Sequence, residues 1–475
     1  MNDRKGFGSN FGFLMAAVGS AVGLGNIWGF PNKMGANGGF PFLILYLALA
    51  LCCGVIIMLG ELALGRKTGH GAVGAYQSIS KRFKWLGWLG IAAAALIFSF
   101  YSALGGYCLR YVVVNFGNLI GAEFGTNGVG GADVFQGLLS QPDVSIAFAL
   151  AFMLITMLVV MSGVGGGIER VCSVGMPALF FILIICIIRS CTLPGAADGL
   201  KYMFVPGWAV ANGIIDEAPG FWRVLTAAGG QMFFSLSLGA GVMITYGSYL
   251  DKKQDLGKST MIIVGMDTVV ALMAGLCVIP GRFALDPNGA LGGPELLFIT
   301  MQNVFDKMGP AGPVFGILFY LLVFFAAISS SISMLEVIVA HFCDKAREKG
   351  KGDRRKLYSA IVVVICAALC ALVCADGMGN NHISPAELLG LAGAKLPGWS
   401  TSWLGLFDSV AEGLLMPLGA LLMCLMISWE LKPDTLRQEI LLNGENRPWV
   451  YDFFRLCVKY ITPLCMLMIL YGQIS

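Results

Sequence analysis

The sequence predicts an all-α membrane protein of eleven transmembrane helices, arranged as a 5+5 inverted repeat with helices 1 and 6 broken. Three observations predict it. First, 57% of the 475 residues are hydrophobic and 12% are charged, with a mean hydropathy of +0.77. That composition excludes a soluble globular chain of this size. Second, apolar stretches near the roughly 20 residues that a membrane span needs recur eleven times along the chain. Third, the first and sixth of these stretches carry the same kind of helix-breaking insert.

The predicted spans cover 11–33, 40–65, 86–117, 145–163, 171–193, 219–249, 259–281, 313–343, 357–375, 404–430 and 453–473, numbered 1 to 11 below. In span 1, "AAVGSAVGLGNIWGFPNKMG" packs Gly19, Gly23 and Gly25 around Ser20, places Asn26 in its middle and ends beyond Pro31. Gly19 and Gly23 form a GxxxG pair, which taken alone reads equally well as a close helix contact. Span 6 weakens that reading, because "FFSLSLGAGVMITYGSY" repeats the pattern: Gly239-Ala240-Gly241 echoes Gly23-Leu24-Gly25, with Ser235 and Ser237 beside it. Matching interruptions in two halves of a chain point to a transporter whose site lies where the helices unwind. Unwound backbone in hydrocarbon is tolerated only where it lines a cavity and finds partners. Half-helix amino ends suit a carboxylate there, and freed carbonyls suit a small cation.

Other spans add polar groups. Span 7 carries Asp267 in "IIVGMDTVVALMAG", and an ionisable residue at that depth is a functional candidate by default. Span 8 carries Ser329, Ser330 and Ser331 in "FFAAISSSISMLE"; these serines either bond back to their own helix or serve a site. The fourteen cysteines, such as Cys52, Cys53, Cys366 and Cys370, lie mostly in apolar spans and read as small buried hydrophobes. His70, His341 and His382 are too scattered for a metal cluster.

Orientation follows from the basic loops. The run "KAREKGKGDRRK" at 345–356 holds seven of the 31 Lys and Arg residues, whereas loop 118–144 holds none. With the amino terminus cytoplasmic, this run, Arg66/Lys67, Lys81/Arg82/Lys84 and Lys252/Lys253/Lys258 all fall inside. They read as topogenic charge rather than as sites for lipid or nucleic acid. The short charged start, with Asp3, Arg4 and Lys5, shows no signal-peptide cleavage site. The expected divisions are a cytoplasmic 1–10, a first repeat 11–193, an extracellular loop 194–218, a second repeat 219–430, and 431–475 as a cytoplasmic loop and span 11.

At these residues the chain resembles the neurotransmitter:sodium symporter family, in its bacterial amino-acid branch. The matching motifs are "GSAVGLGNIWGFP", "GELALGR", "SFYSALGGY", "GIERVCSVGMP", "FFSLSLGAG", "SSSIS" and "KYITP", spread through nearly the whole chain. The resemblance implies two sodium sites. One would use the Ala21 carbonyl with Asn26, Ser235 and Asp267, the last where many relatives have Asn. The other would use carbonyls of Gly19, Val22 and Ala326 with the hydroxyls of Ser329 and Ser330. Both are all-oxygen sets, as a hard cation requires. The substrate pocket would be framed by Ser20, Ala21, Gly23, Leu24, Gly25, Ile97, Tyr101, Phe234, Ser235, Ser237, Ala240, Ser330 and Met334. Arg4 and Asp344 resemble the family's inner gate pair, and Asp408 its outer-gate acid. The matching outer-gate base is absent, because its position is Gly29; closure is left to the Tyr101–Phe234 lid or to a displaced base such as Arg223 or Arg282. Glu61 and Glu169 match family positions, with Glu61 expected to brace the unwound backbone. Glu336 stands where Gln is common, and the sequence offers no role for it.

The function implied is not enzymatic: sodium-coupled import of an α-amino acid by alternating access across an inner (plasma) membrane, with membrane lipid as surroundings and no nucleic-acid partner. The pocket suggests a bulky or aromatic substrate, because Ala240 stands where a leucine-transporting relative has Phe. Gly23 stands where amine transporters have Asp, which leaves a carboxylate unopposed. Asp267 suggests that no chloride is needed. The sequence leaves two alternatives open: a proton-coupled or exchange transporter of the same fold, and a non-transporting amino-acid sensor.

Overall fold

The computed structural model describes residues 6–126, 128–288, 293–352, 354–390, 400–431, 435–441 and 448–474, and every regular element among them is helical. Nine helices are long and apolar enough to cross a membrane: Phe40–Thr68, Lys81–Ile120, Pro142–Met161, Val164–Cys191, Leu256–Leu285, Gly309–Glu348, Arg355–Gly379, Trp403–Glu430 and Pro448–Gly472. They correspond to the predicted spans 2, 3, 4, 5, 7, 8, 9, 10 and 11. Span 1 is a pair, Asn10–Ala21 and Gly25–Ala36, bent by 43°. Span 6 is divided more severely, into Phe221–Leu236 and Val242–Gly247. Length and hydropathy alone therefore recover ten of the eleven predicted spans among the described residues. The second half of span 6 is too short to pass such a test, because its break takes the residues that would extend it.

Both breaks have local causes. In span 1 the first helix stops at Val22, whose ψ of 96° is extended. A Cβ at Gly23 would lie 2.2 Å from Ser330 Oγ and 2.5 Å from Tyr101 Oη, so span 1 approaches spans 3 and 8 there only as glycine. In span 6 the chain turns left-handed at Ser237 (φ 53°), Gly239 (φ 77°) and Gly241 (φ 75°). A Cβ at Gly239 would also fall 2.2 Å from the Met416 carbonyl oxygen, which makes glycine necessary on two counts.

Span 3 and span 8, each with a continuous α-helix of 37 residues, pack against one another along the centre. At about 1.5 Å per residue such helices exceed the roughly 30 Å hydrocarbon layer. Burial separates centre from rim: 78% of the apolar window of span 3 is buried, against 28% for span 5. The fourteen cysteines are free thiols, eleven of them buried; Cys191 and Cys465 are half-buried, and Cys52 on span 2 is exposed. Two ends of the bundle can be told apart, the basic end with loops 69–84, 248–255 and 349–352, and the far end with 121–126, 128–141, 192–220 and 377–390.

Candidate functional site

The two breaks face each other in the middle of the bundle, and their freed backbone groups have partners. Ser237 Oγ donates to the Ser20 carbonyl at 3.0 Å, Ser330 Oγ to the same carbonyl at 3.1 Å, and the Leu24 amide donates to Tyr101 Oη at 2.7 Å. Gln231 Nε2 donates to the Gly25 carbonyl at 2.6 Å, and the Gly239 amide donates to Glu61 Oε1 at 2.7 Å. Glu61 thus braces the unwound part of span 6, as its position suggested. The rings of Tyr101 and Phe234 meet edge-on with centroids 6.2 Å apart, over Gly23 and Gly25.

Two oxygen clusters flank this point. In the first, Asp267 is fully buried and accepts from Asn26 Nδ2 at 2.8 Å and from Ser235 Oγ at 3.0 and 2.9 Å. Tyr46 Oη also donates to it, at 3.2 Å. These donors are all neutral, so nothing among them offsets a carboxylate charge; a small cation in contact with Asp267 would. Ala21, the fourth residue of this set, ends the first half of span 1. In the second cluster, Ser329 Oγ lies 3.4 Å from the Val22 carbonyl and 3.0 Å from that of Ala326, while Ser330 Oγ lies 3.4 Å from the Gly19 carbonyl. Ser331 points elsewhere, sharing a 2.8 Å hydrogen bond with Thr156 of span 4. The serine triplet is therefore split between the site and the scaffold.

Of the other pocket candidates, Ile97, Met334 and Ala240 are buried on spans 3, 8 and 6. Ala240 meets span 3 through its backbone: a Cβ on Gly90 would touch its carbonyl carbon and oxygen at 3.1 Å. Ser20 Oγ donates to Ser333 Oγ at 2.8 Å, which fixes it to span 8.

At the basic end, Asp344 Oδ2 accepts from the Gly71 amide at 3.1 Å and Oδ1 lies 3.8 Å from Arg347; Arg4 lies outside the described residues. Glu336, for which the sequence offered no role, is buried in an ion pair with Arg355, at 2.5 and 3.1 Å, and accepts from Tyr249 Oη at 2.6 Å. Glu169 takes the Gly8 amide at 2.7 Å and Ser9 Oγ at 2.9 Å, and Phe7 packs on Phe13, Tyr246 and Tyr249. The contacts of Gly8, Ser9 and Phe7 bind the start of span 1 to spans 5 and 6.

At the far end stand the two displaced bases that the sequence suggested. Arg223 donates to the Ala36 carbonyl at 3.1 Å, and Arg282 lies 4.6 Å over the Phe283 ring. Among the described residues, Lys33 crosses to span 10 and meets Glu412, with Asp408 lining the same cavity. A shift of four residues from Gly29 and from Asp408 would have found both.

The fold has a counterpart among known proteins. A profile of the sodium:neurotransmitter symporter family matches residues 4–127 and 132–475. The chain belongs to that family. An uncharacterised sodium-dependent transporter of Bacillus subtilis, YhdH, is 36% identical over 98% of this chain and 97% of its own length. The crystal structure of MhsT in complex with L-phenylalanine superposes with a TM-score of 0.84 at 33% identity, over 99% of this chain and 100% of that one. The sodium- and chloride-dependent GABA transporter ine of Drosophila melanogaster is 25% identical over 78% of this chain and 42% of its own length. A symporter-family chain is a sodium-dependent transporter and not an enzyme.

Sequence reasoning missed Tyr46, Gln231, Lys33 and Glu412. Tyr46 and Gln231 are single polar residues in apolar runs, a signal that was present for both.

Proposed function

We propose that this transporter imports a bulky apolar or aromatic α-amino acid with sodium, independently of chloride, across a plasma membrane whose cytoplasmic side meets the basic end. The observation that carries the reading is the pair of oxygen clusters at the two helix breaks, one of them holding a carboxylate with neutral donors only. Sodium 1 would take the Ala21 carbonyl, Asn26, Ser235 and Asp267, and sodium 2 the carbonyls of Gly19, Val22 and Ala326 with Ser329 and Ser330. The substrate carboxylate would approach the span 1 break at Gly23 and Gly25, beneath Tyr101 and Phe234. Each bound species orders backbone that the other needs, so each raises the other's affinity by the same factor. Residues 11–193 and 219–430 act as the two repeats, and rocking of the bundle of spans 1, 2, 6 and 7 exposes the site to one side and then the other. The aromatic preference draws on MhsT, whose structure contains L-phenylalanine. Uptake of radiolabelled L-phenylalanine into proteoliposomes, with and without an inward sodium gradient, tests the reading. Accumulation driven by a pH gradient without sodium would favour a proton-coupled carrier instead, in which Asp267 titrates.

The reading sets two expectations for selectivity. Phenethylamine, which lacks the carboxylate, should compete with labelled phenylalanine far more weakly than unlabelled phenylalanine does; equal competition would remove the carboxylate from the recognition scheme. Ala240→Phe should shift preference towards smaller amino acids, because one methylene in an apolar pocket is worth about 1–3 kcal/mol, or roughly 10–200-fold. Unchanged binding of tryptophan and tyrosine by that variant would leave Ala240 as a packing residue against Gly90.

A further inference from the structure

We propose that Lys33 and Glu412 are the pair that closes the far-end pathway, one helical turn away from Gly29 and Asp408 on each helix. The proposal rests on the alternating-access reading above and specifies where that access is shut.

Four observations carry it. A cavity of about 440 Å³ opens at the far end, and Lys33, Arg223, Thr226, Asp408, Ser409 and Glu412 are among the residues lining it. Lys33 Nζ contacts Glu412 Oε1, which joins the outer half of span 1, Gly25–Ala36, to the irregular Ser409–Leu415 turn of span 10. The contact also touches span 6. A Cβ on Gly230 would lie 3.3 Å from Glu412 Oε1 and 3.7 Å from Lys33 Nζ. Phe234 follows Gly230 by four residues on the same helix, about 6 Å along it. The pair thus stands between the cavity and the aromatic lid.

The directions of the helices explain why lysine suits the place. Span 1 rises towards the far end, so Lys33 sits one turn outside Gly29; span 10 descends from it, so Glu412 sits one turn inside Asp408. A base placed outward must reach inward, which a flexible four-carbon stem does. The side-chain exposures agree: 24% for Lys33, which faces the cavity, and 7% for Glu412, which lies behind it. Room for a longer base at position 29 is taken by Gln231, whose Oε1 would lie 2.9 Å from a Cβ there and whose Nε2 holds the Gly25 carbonyl.

Separating the pair leaves the buried Glu412 carboxylate without its counter-charge, so the pair separates only when water enters between spans 1, 6 and 10. That makes it a two-state element: joined when the lid is sealed, hydrated when the pathway opens. Lys33 and Glu412 act by positioning helices and need not touch the substrate.

The test reads access to the pocket without requiring any substrate. A reporter cysteine, Ile97→Cys, is introduced into the pocket wall of the full chain, and its modification by a small methanethiosulfonate reagent is followed by peptide mass spectrometry, which separates it from the native cysteines. With the pair intact, labelling in sodium should be slow. Lys33→Met and Glu412→Gln should each speed it by about tenfold or more, less than the roughly hundredfold scale of a fully buried pair because Lys33 is 24% exposed. The double variant Lys33→Met/Glu412→Gln leaves no buried charge and should label no faster than either single variant, and Lys33→Arg should remain slow. Unchanged rates in the singles, or a double whose acceleration is the product of the two, would overturn the proposal. Because the readout is independent of amino-acid uptake, absence of phenylalanine transport would count against the proposed function and leave this result standing.

Discussion

Asp267→Asn is expected to weaken sodium binding by about a hundredfold or more, the scale of breaking a buried charge pair, roughly 3–5 kcal/mol. The wild-type carboxylate is fully buried among Asn26, Ser235 and Tyr46, all neutral. A sodium ion in contact with it removes the cost of that charge, and the carboxylate in turn supplies the anion that a neutral ligand set lacks. The amide keeps the shape of the side chain and one oxygen ligand, so the loss isolates the charge. The same argument predicts that replacing chloride with gluconate leaves wild-type uptake unchanged. It predicts further that chloride restores part of the sodium affinity of Asp267→Asn. Sodium titrations of purified protein, followed by intrinsic fluorescence or labelled-substrate binding, check both statements. Sodium affinity unaffected by the substitution would remove Asp267 from the site, and wild-type uptake that collapses in gluconate would end the chloride-independent reading.

The second large effect is expected at the other cluster. Ser329→Ala should raise the sodium concentration for half-maximal substrate binding by roughly ten- to hundredfold, since an interaction with a full charge is worth about 1.5–3 kcal/mol. Ser329 Oγ reaches the Val22 carbonyl of span 1 at 3.4 Å across the space between spans 1 and 8, and the Ala326 carbonyl of its own helix at 3.0 Å. Removing it leaves a cation under-coordinated where water does not reach. Ser331→Ala is the internal control. Its hydroxyl faces Thr156 on the scaffold, so the sodium dependence should stay near wild type. Equal sodium dependence in wild type and Ser329→Ala would return that serine to a bond with its own helix.

Several features of the site are legible in the amino-acid order alone. Gly23 and Gly239 sit where the backbone of one helix meets another group at a distance no Cβ permits, and each stands in a run of small residues that reads as a break. Asp267 stands out because an acid in hydrocarbon has to be explained. The serine triplet is ambiguous. Three adjacent hydroxyls point in three directions around a helix, and only the packing of spans 1, 4 and 8 decides which of them meets the unwound backbone. Glu336 is also an acid within a predicted span, but its role stays hidden in the sequence because its partners, Arg355 and Tyr249, come from other helices.

What the sequence by itself determined is the class of the protein and the places where its helices fail. Hydropathy and glycine content act over a few residues, so they are complete in one dimension. The pairing across the far end is of another kind: Lys33 and Glu412 are 379 residues apart. Which base meets which acid depends on the direction of each helix, on the turn at which two spans cross, and on Gln231 filling the space beside Gly29. Those are properties of packing, and only the tertiary structure decided them.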